Sequence, residues 1–302
     1  MQVHEVKDGY ARIEARSYPI ERAYPDGYDK EIASWTASHE IATASRRLPC
    51  VELTAPHDRR CIAVGGSPSV VRYIEDIRAL QQAGGTVVAV NDANNLLQDN
   101  GIIPDAMVVF EVGVYPPALG WRCHPDTTFY VASLCHEETF RGLEGHKIIV
   151  WHLYSPLPFI QDILTEKFDY PGGNGMMVCG GTTTFMRILP LFHRVLGYRH
   201  FECFGFDSSH PEGQGSHFFG TPYYAGKEIE VFLGDDGGRG GGARRRFLTR
   251  PIYAQQADEF RQWCLHHDHR LETIHVHGDG LLPAMHRQMF PDRYSEEGFH
   301  GV

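Results

Sequence analysis

The sequence predicts an α/β fold, a doubly wound and mostly parallel sheet with helices on both faces. Three observations lead there. From residue 60 short apolar, β-rich runs recur at Cys61–Val64, Thr86–Val90, Ala106–Phe110, Thr128–Ala132, Lys147–His152 and His200–Phe206. They are nearly continuous rather than alternating, as in strands covered on both faces. Segments that can hold a helix, such as Ser69–Ala83 and Thr182–Leu196, lie between them. Ile252–His267 then reads as a helix and Leu271–Val276 as a last strand.

The bulk numbers agree with a globular chain. Of 302 residues 42% are hydrophobic and 22% charged, which is ordinary for a packed domain. The net charge of −10 disfavours nucleic acid as a partner, because that binding rests on neutralising phosphates with Lys and Arg. The one dense basic cluster is Arg244, Arg245, Arg246 and Arg250. Seven cysteines occur without a CxxC pair, which predicts a reducing, cytoplasmic setting. The start of the chain has no apolar leader, and no stretch approaches the roughly 18 apolar residues of a membrane span. Residues 1–58 read as a polar arm, with one helix over Asp29–Arg47, and residues 59–302 as the nucleotide-binding domain. The arm has either the core or a second copy of the chain to cover, which leaves a homo-oligomer open. Gly234–Gly242 holds too many glycines for helix or strand and reads as a mobile loop or lid.

The candidate site residues stand where runs end. Gly65-Gly66-Ser67-Pro68-Ser69 follows the first core strand. Two glycines let the backbone approach a ligand, Ser67 and Ser69 add hydroxyls, and Pro68 suits a first helical turn. Free amides at a helix start suit phosphate. A tight strand-to-helix connection explains the same residues without a ligand. Asn91 and Asp92 end the second strand, where ligands of open α/β sheets bind, although helix capping also suits them. Glu111 ends the third. Gly180-Gly181-Thr182-Thr183 opens a later helix and forms a second candidate phosphate or ribose site; Thr capping is the plainer account.

Asp207, in Gly205-Phe206-Asp207, ends a buried strand, where a carboxylate needs a partner. Mg²⁺ together with a nucleotide phosphate is one such partner, and loop capping is another. His217 follows by a short loop and reads as a general acid or base, or as a plain surface histidine. His266-His267-Asp268-His269 is a weak metal candidate at a helix end, and His275 and His277 read as structural or exposed.

Taken together these residues resemble the MptE-like family of the 6-hydroxymethylpterin diphosphokinase type, and more distantly the bacterial CMP-sialic acid sialyltransferases with a Rossmann-like fold. The shared order is Gly65–Ser69, Asn91, Gly101-Ile102-Ile103-Pro104-Asp105, Glu111, Gly180–Thr182 and Gly205–Asp207, over roughly residues 60 to 220. Two residues depart from it. Gly66 stands for an Asn, and Glu111 for an Asp.

The resemblance implies a Rossmann-like transferase. Its leading reading is diphosphate transfer from ATP, with Mg²⁺, to a pterin-like hydroxymethyl acceptor. Gly65, Gly66, Ser67, Ser69, Asn91, Asp92, Gly180, Gly181, Thr182 and Thr183 would hold the nucleotide, Asp207 the metal, and His217, Asp207 and Glu111 the chemistry. The alternatives are a glycosyltransferase using a nucleotide sugar and a non-catalytic nucleotide-binding module.

Overall fold

The computed structural model describes residues 2–3, 13–14, 48–110, 120–154, 177–178, 180–212, 228–234, 245–267 and 273–294. Two short strands, β1 (Gln2–Val3) and β2 (Ile13–Glu14), pair antiparallel. The expected helix over Asp29–Arg47 lies outside the described residues.

The main sheet has eight strands: β3 (His57–Val64), β4 (Thr86–Val90), β5 (Ala106–Val109), β6 (Thr128–Ala132), β7 (Lys147–Leu153), β8 (Met177–Val178), β9 (Tyr198–Phe204) and β12 (Thr273–Val276). Their order is β12-β9-β3-β4-β5-β6-β7-β8, and every neighbouring pair is parallel. The Rossmann-like, doubly wound class is therefore correct.

The two faces separate by alternation within each strand. Ile62, Val64, Val87 and Ala89 join Ile74, Ile77, Leu80, Leu96 and Leu97 in one apolar layer. Those five residues belong to helices α1 (Ile74–Gln82) and α2 (Ala93–Asp99). Cys61, Ala63 and Val88 face the other way, into a larger layer with Phe185, Ile188, Ala254, Phe260 and Leu281. These come from α4 (Phe185–Pro190), α5 (Pro251–His267) and α6 (Leu281–Met289). A further helix, α3 (Glu137–Gly142), follows β6. Burial on both faces is why the strands read as unbroken apolar runs.

The differences from expectation have local causes. The run through Phe206 stops at Phe204, because Gly205 takes a φ of +71° and turns the chain out of the strand. Ser69–Ala83 splits into a 3₁₀ turn, Pro68–Tyr73, and then α1. The Thr182–Leu196 helix starts at Phe185 and passes at Leu191–Val195 into a π turn. Pro190, which has no N–H to donate, stands at that junction.

β10 (Ile229–Leu233) and β11 (Arg245–Thr249), both missed, form an antiparallel hairpin beside the main sheet. Apart from Gly234, the glycine-rich segment between them lies outside the described residues. Among the described residues no helix is long and apolar enough to cross a membrane.

Candidate functional site

The strand order fixes where a ligand can enter. From β3 the chain steps outward through β4 to β8, then returns to the other side of β3 as β9. The connection after β3 runs to α1 on one face, and the chain after β9 reaches α5 on the opposite face. The two loops diverge, and a crevice opens at the carboxyl ends of β3 and β9. Ligands of open α/β sheets bind at such a reversal point.

A cleft of about 580 Å³ lies there, a size within the range of small-molecule sites. Pro68, Ser69 and Arg72 line it from the β3 side, Asp207 and Ser209–Glu212 from the β9 side, Asp279 and Gly280 from the end of β12, and Arg245–Leu248 from the hairpin.

Close backbone approach shapes its base. A Cβ on Gly65 would lie 2.5 Å from Phe206 Cε1 and 2.6 Å from the Gly205 carbonyl oxygen, so no larger residue fits without displacing β9. The Ser67 amide donates to that same oxygen at 3.0 Å, and the Ser67 hydroxyl accepts from the Asp207 amide at 3.1 Å. The first glycine turn is thus a tight clasp between two strand ends. The Ser67 amide is spent within the protein and not free for a phosphate.

Asp207 is 6% exposed. Burial pushes its carboxyl up from the ordinary range, against the hydroxyl and amide of Ser69, the Arg72 charge and the Gly280 amide, which favour the ionised form. Gly280 caps α6, and the amide of Leu282 in its first turn donates to the Asp207 carbonyl at 3.0 Å. Asp207 therefore sits at the positive end of that helix.

The second glycine turn is closed by a side chain. The Thr182 amide donates to Glu259 Oε2 at 2.7 Å and its hydroxyl to Oε1 at 2.6 Å. A carboxylate already occupies the place expected for a phosphate, and a second anion there would be repelled. Gly180–Thr183 do stand near the first turn. Phe185, just after them, stacks on Phe206 at 4.0 Å, and Gln256 of α5 donates to Ser208 Oγ at 2.8 Å.

Asn91, with a φ of +45°, and Ser208, with +54°, are the non-glycine residues in left-handed backbone among those described. Asn91 directly follows β4 and Ser208 lies in the loop after β9, on either side of β3, and strain of this kind collects at functional edges. Asp92 heads α2 without a side-chain cap and accepts from Trp121 Nε1 at 3.1 Å. Glu111, His217, Asp268 and His269 lie outside the described residues.

Sequence reasoning left out much of the cleft wall. Arg72 pairs with Asp279 at 2.6 Å, and Arg246 with Glu230 at 2.7 Å. Arg245 donates to the Asp279 carbonyl and lies 4.8 Å from the Phe247 ring. His210, buried, pairs its amide with the Leu248 carbonyl at 3.0 Å and has its Nε2 3.3 Å from Glu228 Oε1. The signal within reach was the basic cluster around Arg245, whose partners only the fold supplies. His275 and His277, read as structural, hold Glu202 Oε1 and Oε2 at 3.1 and 2.8 Å.

The surroundings of Asp207 do not suit the Mg²⁺ assigned to it. Its neighbours are amides, a hydroxyl and an arginine, all of which present positive charge. Among the described residues no group of three His, Cys, Asp or Glu is placed to hold a metal.

Neither a protein-family model nor a curated protein sequence matches the chain. Among solved structures it is similar to a MAf glycosyltransferase from Magnetospirillum magneticum AMB-1, with a TM-score of 0.58 and 17% identity over 82% of this chain. That stretch is 37% of the other protein's length. Likeness at this level is one of fold.

Proposed function

We propose that the chain carries out glycosyl transfer from a nucleotide sugar bound in the cleft at the β3/β9 reversal. The observation that carries this is the placement of Arg72, Arg245 and Arg246 around that crevice, above the buried Asp207. The fold shared with a MAf glycosyltransferase supplies the reaction class by analogy. It favours this reading over diphosphate transfer from ATP.

In such a transfer an acceptor hydroxyl attacks the anomeric carbon of the donor sugar. A new C–O bond forms, the C–O bond to phosphate breaks, and the nucleotide leaves with the electron pair. The acceptor proton passes to a base, for which the sequence offers His217. The leaving phosphate needs fixed positive charge. The Arg72–Asp279 and Arg246–Glu230 pairs are about half exposed. Surface pairs contribute only about 0–1 kcal/mol, so these guanidinium groups exchange to a phosphate at little cost. Pro68 and Pro211 offer apolar surface to a base or sugar face.

The test is release of nucleotide from CMP-, UDP- and GDP-sugars, with binding followed by calorimetry. Arg245→Ala and Arg72→Ala should each weaken donor binding on the order of tenfold, the loss of one charge-assisted contact. Failure of all these donors to bind or hydrolyse removes the proposal. AMP released from ATP would restore diphosphate transfer in its place.

A further inference from the structure

We infer that the leaving phosphate of the donor takes the place now held by the Asp279 carboxylate, and that Asp279 gives up Arg72 to it. This rests on the donor reading of the cleft and adds where the phosphate stands and which group of the protein it displaces.

Asp279 lies in the turn between β12 and α6, on the wall of the cleft. Its Oδ2 accepts from Arg72 Nη1 at 2.6 Å, and its main-chain carbonyl accepts from Arg245. Two guanidinium groups, one from the turn after β3 and one from the hairpin, thus meet at a single residue. Arg287 Nη2 donates to the neighbouring Gly278 carbonyl at 2.9 Å. The Arg72 hydrogen bond and the charges of Arg72, Arg287 and Arg245 hold the Asp279 carboxyl below its ordinary range, against the opposing effect of burial. The protein therefore sets an anion of its own between two cleft arginines. The Arg72 and Asp279 side chains are 52% and 63% exposed, so an incoming anion reaches both without opening the fold.

The two arginines are held in different ways. Arg245 is held by main chain, and that main chain is fixed. On either side of Asp279, a Cβ on Gly278 would collide with Asp207 Oδ1 and one on Gly280 with Asp207 Cβ. Arg72 is held by a side chain, which can rotate away while the turn stays. A phosphate thus finds Arg245 in position and takes Arg72 by exchange. It has an oxygen for each guanidinium and charge to replace the carboxylate. A neutral ligand would leave Arg72 without its charged partner. The displaced carboxylate and the phosphate repel each other, so Asp279 limits how tightly the nucleotide is held.

The experiment is calorimetric titration of the full chain with UDP, GDP and CMP. It compares wild type, Asp279→Asn, Arg72→Ala and the double variant, with near-ultraviolet circular dichroism to confirm folding and Asp279→Ala as a second removal of the charge. Asp126→Asn is the control, since it removes the same charge from an exposed position just before β6, at the opposite end of the sheet. Asp279→Asn and Asp279→Ala should bind the nucleotide on the order of 3–10-fold more tightly than wild type, with Asp126→Asn within about twofold. The gain should shrink in the Arg72→Ala background, where no guanidinium is released. Equal or weaker binding by the Asp279 variants, an equal gain in Asp126→Asn, or a gain undiminished by Arg72→Ala would overturn the inference. If no nucleotide binds, the donor reading fails, and inorganic pyrophosphate followed by phosphorus NMR decides for the phosphate place alone. Tighter binding by Asp279→Asn than by wild type supports it; equal binding, or none by either, ends it.

Discussion

Gly65-Gly66-Ser67-Pro68-Ser69 and Gly180-Gly181-Thr182-Thr183 each set two glycines before hydroxyl residues near the carboxyl edge of one parallel sheet. In the first, backbone meets backbone. Gly65 and Gly205 approach too closely for side chains, and the buried Asp207 stands just beyond them. In the second, a carboxylate from a distant helix takes the amide and hydroxyl of Thr182. A glycine-hydroxyl string therefore encodes close approach. Whether the approaching group is a strand, a side chain or a ligand depends on the rest of the chain.

Four substitutions or titrations sharpen the contrast. Gly65→Ala should have the largest effect, about 2–3 kcal/mol of lost stability in urea unfolding, because the added methyl overlaps Phe206 and the Gly205 carbonyl. A neutral result would mean that the clasp is looser than described. Glu259→Ala should cost about 1–2 kcal/mol by stranding the donors of Thr182. A gain in nucleotide affinity in that variant, with stability unchanged, would make the second turn an anion site after all.

Asp207→Asn should move stability the other way, leaving it unchanged or slightly raised at neutral pH. The sign follows from burial, which lifts the carboxyl in the folded state above its ordinary value of 3.8. The folded protein then holds the proton more tightly than the unfolded chain, and stability from this group is lost as pH rises through the folded pKa. Relative to the variant, wild type should gain stability as pH falls toward the carboxylate range.

That comparison runs against a common background. His152, buried beside Ser133 Oγ at 3.0 Å, is pushed by desolvation down to about 4, and His286 likewise to about 3. Both stay neutral in the fold and protonate near 6.5 once unfolded, so wild type and variant alike should weaken as pH drops below about 6.5. Thermal melts from pH 7 to 4 check the slope, and His152→Gln should flatten it.

Much of the main sheet was legible because two-sided burial writes a simple pattern. Thr86–Val90 and Thr128–Ala132 have the same bounds in sequence and structure. The hairpin was not, since Ile229–Leu233 and Arg245–Thr249 are short, mixed and half exposed, and neither face repeats long enough to count. Strand β8 spans two residues, too few for any periodicity. Asp207 stood out as a charge ending an apolar run. Glu259 did not, because it lies 77 residues from Thr182 on a helix whose polar side looks like any solvated surface. The cleft arginines were visible as charges, and only the return of β9 to the side of β3 gives them a common target.

The hairpin that walls the cleft has its own five-residue ladder and is fastened to the body at His210–Leu248, by the Thr249 hydroxyl on the Ser208 carbonyl and by Val231 and Phe247 buried in the main core. None of the main-sheet pairing passes through it. Arg245 and Arg246 thus stand at exposed positions of this ribbon, and changing them offers a route to redirecting ligand preference while Val231, Phe247 and the eight-stranded scaffold stay in place.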